Sequence, residues 1–160
     1  MTSRFVMRGF TLIELMVALV LLALILSSAA PMVQMSIKRN KEQELRRALW
    51  QIRDALDAYK KAGDDGLVKK IPGQSGYPPN LQILVKGVEN QRDPKKRKIT
   101  FLRSIPRDPF APASETNPEA TWGLRSYASS FDEPQPGEDV YDVYSLSRET
   151  GLDKRPYREW

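Results

Sequence analysis

The chain has 160 residues, carries 25 Lys and Arg against 20 Asp and Glu, and contains neither Cys nor His. That leaves room for one small domain with a modest core beside any membrane segment, and it excludes disulfides and thiolate metal sites. It also removes the commonest general base and zinc ligand, and no order of Ser, Asp and Lys suggests a catalytic site, so an enzyme is not expected.

At the N-terminus, Arg4 and Arg8 precede Gly9-Phe10-Thr11-Leu12-Ile13-Glu14-Leu15, and after Glu14 no charged side chain appears until Lys38. The uncharged span Leu15 to Ile37 makes roughly 34 Å of helix, enough to cross a bilayer core of about 30 Å. Local physics offers two readings of its start. Thr11-x-x-Glu14 fits a capping box, with Thr11 as N-cap and Glu14 reaching back to its amide. Residues 1–30 also have the outline of a secretory signal peptide, with Ser28-Ala29-Ala30 as cleavage site. Against this, the apolar region exceeds the usual roughly 7–15 residues and opens on an acid. Pro31 removes one helical hydrogen bond and crowds the preceding turn, so a kink or loosened turn is expected there.

Lys38, Arg39, Lys41, Arg46 and Arg47 follow, where a helix leaving a membrane meets lipid headgroups. Leu45, Leu49, Ile52, Leu56 and Tyr59 then repeat at a 4, 3, 4, 3 spacing, flanked by Ala48 and Ala55. Glu42–Arg46 and Asp57–Lys61 are acid-then-base pairs one turn apart. No stop signal occurs before Gly63, so Thr11 to Ala62 reads as one helix, about 78 Å long, with its second half laid on a globular head. A coiled coil would need a longer stripe than these two heptads.

Gly63-Asp64-Asp65-Gly66 breaks the helix, and Ile71 to Pro79 is an irregular connection. Asn80 caps a short helix from Leu81 to about Lys86, ended by Gly87. The polar segment to Lys98 reads as a loop turned by Asp93-Pro94. Its run Lys95-Lys96-Arg97-Lys98 has no interleaved aromatic residues, so it reads as a solvated face with no nucleic-acid role. Ile99 to Pro106 fits a short helix or an extended segment equally, and Pro106 to Pro118 reads as a surface excursion. Thr121 to Ala128, Tyr141 to Leu146 and Arg155 to Tyr157 look extended, with Gln135 to Asp139 turning the chain between the first two. Tyr127, Val140, Tyr144 and Leu146 are the expected inward-facing members of a small antiparallel sheet. The fold class is therefore α+β: a long N-terminal helix on a small antiparallel sheet.

A third reading of the N-terminus comes from resemblance. Gly9-Phe10-Thr11-Leu12-Ile13-Glu14-Leu15-Met16-Val17 resembles the processing and assembly motif of type IV pilin-like precursors. Further along, Ser75-Gly76-Tyr77-Pro78-Pro79-Asn80-Leu81 is similar to the entry into the short helix of type II secretion pseudopilins. Phe101 to Phe110, with its Ile105-Pro106-Arg107-Asp108-Pro109-Phe110 block, resembles a stretch of the major pseudopilin, the general secretion pathway protein G type. Trp122 to Tyr127 and Asp142 to Ser147 are similar to that type's closing strands.

The resemblance implies a leader, residues 1–9, cut between Gly9 and Phe10, with N-methylation of Phe10. Residues 10–37 would be the transmembrane and assembly helix, 38–62 its amphipathic half and 63–160 the head. Glu14 and Pro31 would serve assembly, the helix near the proline melting when subunits pack. The implied partners are further copies in a helical homopolymer, minor pseudopilins, the prepilin peptidase and an inner-membrane assembly platform. The implied location is a single pass of the inner membrane with the N-terminus cytoplasmic and the head periplasmic, then a periplasmic filament that drives protein export. Counting positive charges alone favours the opposite orientation. The long ordered motif outweighs that count. The alternatives are a type IV pilin or minor pilin and, from another class, a single-span membrane-anchored binding domain.

Major pseudopilins usually bind calcium in the loop after the second closing strand. Here that loop, Ser147 to Arg155, has two acids and three bases, against the six to eight oxygens that calcium takes. Leu146, Glu149 and Asp153 are its calcium candidates. A hydrogen-bonded or salt-bridged loop without a cofactor is the expectation.

Overall fold

The computed structural model describes residues 9–160, and for residues 28–31 the backbone alone. Arg4, Arg8 and the rest of the expected leader before Gly9 lie outside the described residues. The architecture is α+β and pilin-like: one long helix, α1 (Leu12–Asp64), and two small antiparallel sheets. The chain divides into two compact units, the first ending at Arg39 and the second running Asn40–Trp160.

The first unit is the apolar half of α1. Its large side chains stand exposed, from Leu12 through Leu26 and again from Met32 to Ile37. Among the described residues α1 is the one helix long and apolar enough to cross a membrane. The backbone stays helical through residue 31, and the Pro31 side chain lies outside the described residues.

In the second unit the other half of α1 forms the floor of the core. Leu45, Leu49, Ile52 and Leu56 are buried, Ala48 and Ala55 let neighbouring chain approach, and Tyr59 packs against this cluster. Each large side chain so buried contributes about 1.5–3 kcal/mol. The expected Glu42–Arg46 and Asp57–Lys61 pairs are absent among the described residues, because Arg46 turns to Asp153 at 3.7 Å while Glu42 turns inward. Lys60 instead pairs with Asp64 at 3.2 Å.

The helix runs two residues past its expected stop. Gly63 is still helical, and the chain turns at Gly66, whose φ of 70° suits a residue without Cβ. The amides of Leu67 and Gly66 donate to the carbonyls of Ala62 and Gly63 at 2.8 and 3.0 Å. That is a Schellman closure.

The short helix α2 (Gln82–Lys86) forms as expected, with the Ile83 amide donating to Asn80 Oδ1 at 3.2 Å and Gly87 at its C-cap. The segment read as a loop is a hairpin: β1 (Val88–Glu89) pairs antiparallel with β2 (Lys98–Ile99). Two-residue strands carry too little periodicity to be seen in sequence.

The second sheet pairs β3 (Trp122–Arg125) with β4 (Asp142–Ser145), Trp122 opposite Ser145 and Gly123 opposite Tyr144. A Cβ at Gly123 would lie 2.3 Å from the Tyr144 ring, so the ring claims that space. The expected inward set is off by one residue. Val140 is buried, but β4 points Val143 and Ser145 inward, leaving Tyr144 partly covered and Leu146 and Tyr127 exposed. A slip of one position exchanges the faces of a strand.

Two more expectations are corrected. Arg155 to Tyr157 is no strand. Thr150 and Pro156 form one isolated bridge before a 3-10 turn, Tyr157–Glu159. The excursion expected from Pro106 begins later, because Asp108 is buried and Phe110 stacks on Tyr157 at 4.1 Å.

Candidate functional site

The N-terminal site is built by the first turn of α1. Gly9 and Phe10 precede the helix and are exposed, Phe10 at 86%, and a Cβ placed on Gly9 would meet nothing within 4 Å. Among the described residues nothing packs over the peptide bond between them. One residue later the helix is capped reciprocally. The Thr11 amide and hydroxyl both donate to Glu14 Oε2 at 3.1 Å, and the Glu14 amide donates to Thr11 Oγ1 at 3.3 Å. The carboxylate also sits at the positive end of the helix dipole. The capping box is therefore formed, and it holds Glu14 at the head of the apolar surface.

Residues 5–30 match the prokaryotic N-terminal methylation motif. That is the type IV pilin-like prepilin signal. No curated protein and no solved structure matches the chain. The motif and the exposed apolar helix behind it are consistent with membrane anchoring.

The structure brings Gly9, Phe10 and Glu14 together within this short segment, while Pro31 lies several turns along α1. Of the calcium candidates, Leu146 is exposed, Asp153 Oδ1 accepts from the Arg155 amide at 3.1 Å and Oδ2 faces Arg46. The Glu149 amide and carbonyl are used within the loop, bonded to Ser147 Oγ and to the Tyr157 amide. Among the described residues no three acidic side chains cluster to hold a metal ion. With Arg46, Arg148, Lys154 and Arg155 in the same neighbourhood, this donor set does not fit calcium.

What holds the loop is Glu42, which the sequence reading assigned to a surface pair. Its Oε1 accepts from the Leu152 amide at 2.8 Å and from the Tyr157 hydroxyl at 2.9 Å, and the residue is only 8% exposed. Burial, then the bond to Glu42, pushes the Tyr157 phenol well above its ordinary range. The signal was present: Glu42 continues the spacing of Leu45, Leu49, Ile52 and Leu56, which places a carboxylate on the buried face.

Arg53 is the second missed residue. It donates to Asp142 Oδ1 at 2.8 Å and to the Val143 and Trp160 carbonyls at 3.3 and 2.8 Å. Asp142 also takes Arg125, its cross-strand neighbour, at 3.2 Å. These bonds tie α1 to β4, β3 and the C-terminal turn.

Proposed function

We propose that the chain is a pseudopilin precursor, a structural filament subunit of a type II secretion machine that assembles from the inner membrane through its N-terminal helix. The carrying observation is the open Gly9–Phe10 junction one residue before a capped apolar helix, within the matched methylation motif. Cleavage there would release the α-amino group of Phe10 for N-methylation. The exposed apolar half of α1 would embed in the membrane and later bundle with other copies, with the heads outside. Subunit addition would push exported proteins outward.

What favours the pseudopilin reading over a pilin one is the sequence resemblance of the Ile105 to Phe110 block, which has a structural place in the head. Asp108, within Ile105 to Phe110, is buried and accepts from Ser145 Oγ on β4 at 2.6 Å and from the Phe110 amide at 2.8 Å. Its own amide donates to Thr121 Oγ1, and Trp122 Nε1 donates to the Pro106 carbonyl at 2.8 Å. The block that resembles the major pseudopilin thus locks the closing sheet in place.

The intact mass of the membrane-extracted protein tests processing. Loss of Met1 to Gly9 plus one methyl group is expected, and retention of Met1 in the mature protein refutes it. Co-purification with secretion components rather than pilus components separates pseudopilin from pilin.

A further inference from the structure

The connection after α1 and the loop leaving β3 enclose an open groove of about 830 Å³ in the second unit. Tyr77 and Tyr127 line it with rings stacked at 6.1 Å, and Tyr141 sits edge-on to both. Tyr127 is 62% exposed and nearby Phe131 63%, so aromatic surface faces outward beside the groove. The shape is fixed by Asp139. It accepts from Ser126 Oγ at 2.7 Å, from the Tyr127 amide at 2.9 Å and from Ser75 Oγ, which joins the two walls. Burial pushes the Asp139 carboxyl up, but the Ser75 and Ser126 hydroxyls and the Tyr127 amide outweigh it and hold the group below the usual carboxylate range. Asp139 is scaffold; the outward charge belongs to Glu133 and Glu138, both exposed on the lining. These aromatic faces already accept a cation of the same chain, since Lys60 Nζ stands 5.9 Å from the centre of the Tyr77 ring.

The complementary surface is on the β1–β2 hairpin. Lys95, Lys96, Arg97 and Lys98 are all exposed there, and Lys96 is held at φ 48° in the turn. Arg97 is neutralised by Asp93 at 2.5 Å and Lys96 is near Glu89 at 3.8 Å. Among the described residues Lys95 and Lys98 have no ion pair. Residues 131–139 hold four acids and no base, and residues 95–98 are four bases in a row.

We propose that the tyrosine groove receives the basic hairpin tip of a second copy, its cations lying on tyrosine faces with Glu133 and Glu138 as counter-ions. The two surfaces come from different loops of one chain, so the contact is heterologous and runs head to tail. Repetition of such a contact gives a ring or a helix, and a helix is what a filament subunit requires. To that extent the inference rests on the filament reading.

The chain has no Cys, so introduced thiols report without background. Full-length protein carrying both Lys95→Cys and Gln135→Cys, oxidised in membranes and in sheared filaments, is expected to give a ladder of disulfide-linked multimers. A control pair that uses exposed Lys69→Cys in place of Lys95→Cys is expected to give at least about tenfold less. Glu133→Lys with Glu138→Lys should suppress the ladder by a similar factor, and Lys96→Glu with Lys98→Glu should restore it in part, through the acid–base pairs alone, since ring faces attract only cations. That rescue separates lost pairing from misfolding. Filaments that form without the ladder overturn the contact and leave the filament reading intact. A ladder from protein that forms no filament keeps the contact and removes the filament reading. Gln135→Cys linking to itself, or to a different polypeptide, overturns the second copy's hairpin as occupant.

Discussion

Glu42 gives the sharpest stability prediction. Glu42→Ala strips two donors, the Leu152 amide and the buried Tyr157 hydroxyl, of their shared acceptor. Leaving a buried donor unsatisfied costs about 1–3 kcal/mol. Partial hydration of Leu152, which is 40% exposed, puts its share at the low end, so the sum is about 3 kcal/mol. For a head of this size that lowers the unfolding midpoint by about 12 °C. Tyr157→Phe removes the hydroxyl but leaves the carboxylate its amide donor, so about 1–2 kcal/mol is expected. Glu42→Gln keeps an oxygen acceptor at the same place and should cost less than either. The assay is thermal unfolding of the detergent-solubilised full chain by tryptophan fluorescence. Trp160 reports locally, since its ring lies edge-on to Tyr157 at 5.0 Å. The double variant should be less destabilised than the two singles summed, because both remove the same bond. Strict additivity, or Glu42→Ala within about 0.5 kcal/mol of the parent, refutes the clamp.

Asp108 predicts a pH dependence. Burial, opposed by the bonds from Ser145 and Phe110, raises its carboxyl pKa above the ordinary 3.8. Its stabilising share is therefore complete below the unfolded value and lost as pH rises through the folded one. Asp108→Asn should gain on the parent in urea unfolding as pH is raised from about 3.5 to 7, and a gap constant with pH would refute this. Pro31→Ala should raise the helicity of the isolated subunit. If the proline serves packing, filament yield falls while monomer level holds, whereas unchanged yield shows it incidental. Glu14→Val should be cleaved and inserted normally yet fail to polymerise, and wild-type filament levels from it would reject a charge-pairing role.

The helix was legible because it repeats. From Leu45 to Leu56 the apolar spacing extends over several turns, and only one face of a helix can gather those positions. Of the strands, β3 and β4 lie inside the segments expected to be extended, whereas β1 and β2, of two residues each, were not legible. In β4 the alternation Asp142-Val143-Tyr144-Ser145 puts the smaller residues inward, and size misled the assignment. Trp122 fills the interior that Tyr144 was expected to occupy, and Gly123 makes room for that tyrosine's ring on the opposite face. The core also depends on polar bonds whose partners the pattern does not name, those of Asp108, Glu42 and Arg53. Each joins segments distant in sequence, 37 to 115 positions apart, and nothing local to a charged residue names so remote a partner.

At the N-terminus the two accounts of Glu14 first stood as rivals, a cap or an assembly charge. The geometry lets both operate. Both cap bonds that the Glu14 carboxylate accepts go to Oε2, and among the described residues none involves Oε1. A cap therefore satisfies one oxygen and fixes the carboxylate's rotamer without using the other. A carboxylate in the apolar part of a membrane costs about 2.5–3.5 kcal/mol at the helix centre and less near an end, so a second partner is worth recruiting. In the proposed filament that partner is the Phe10 amine of an incoming copy, whose ordinary pKa of about 7.7–8.0 keeps it substantially cationic at neutral pH. Glu14→Gln separates the contributions: its amide oxygen can still accept from Thr11, but it offers no charge. Normal helicity with failed assembly is expected. Normal assembly of Glu14→Gln, measured as sheared filament against membrane-retained monomer, would reduce Glu14 to the cap alone.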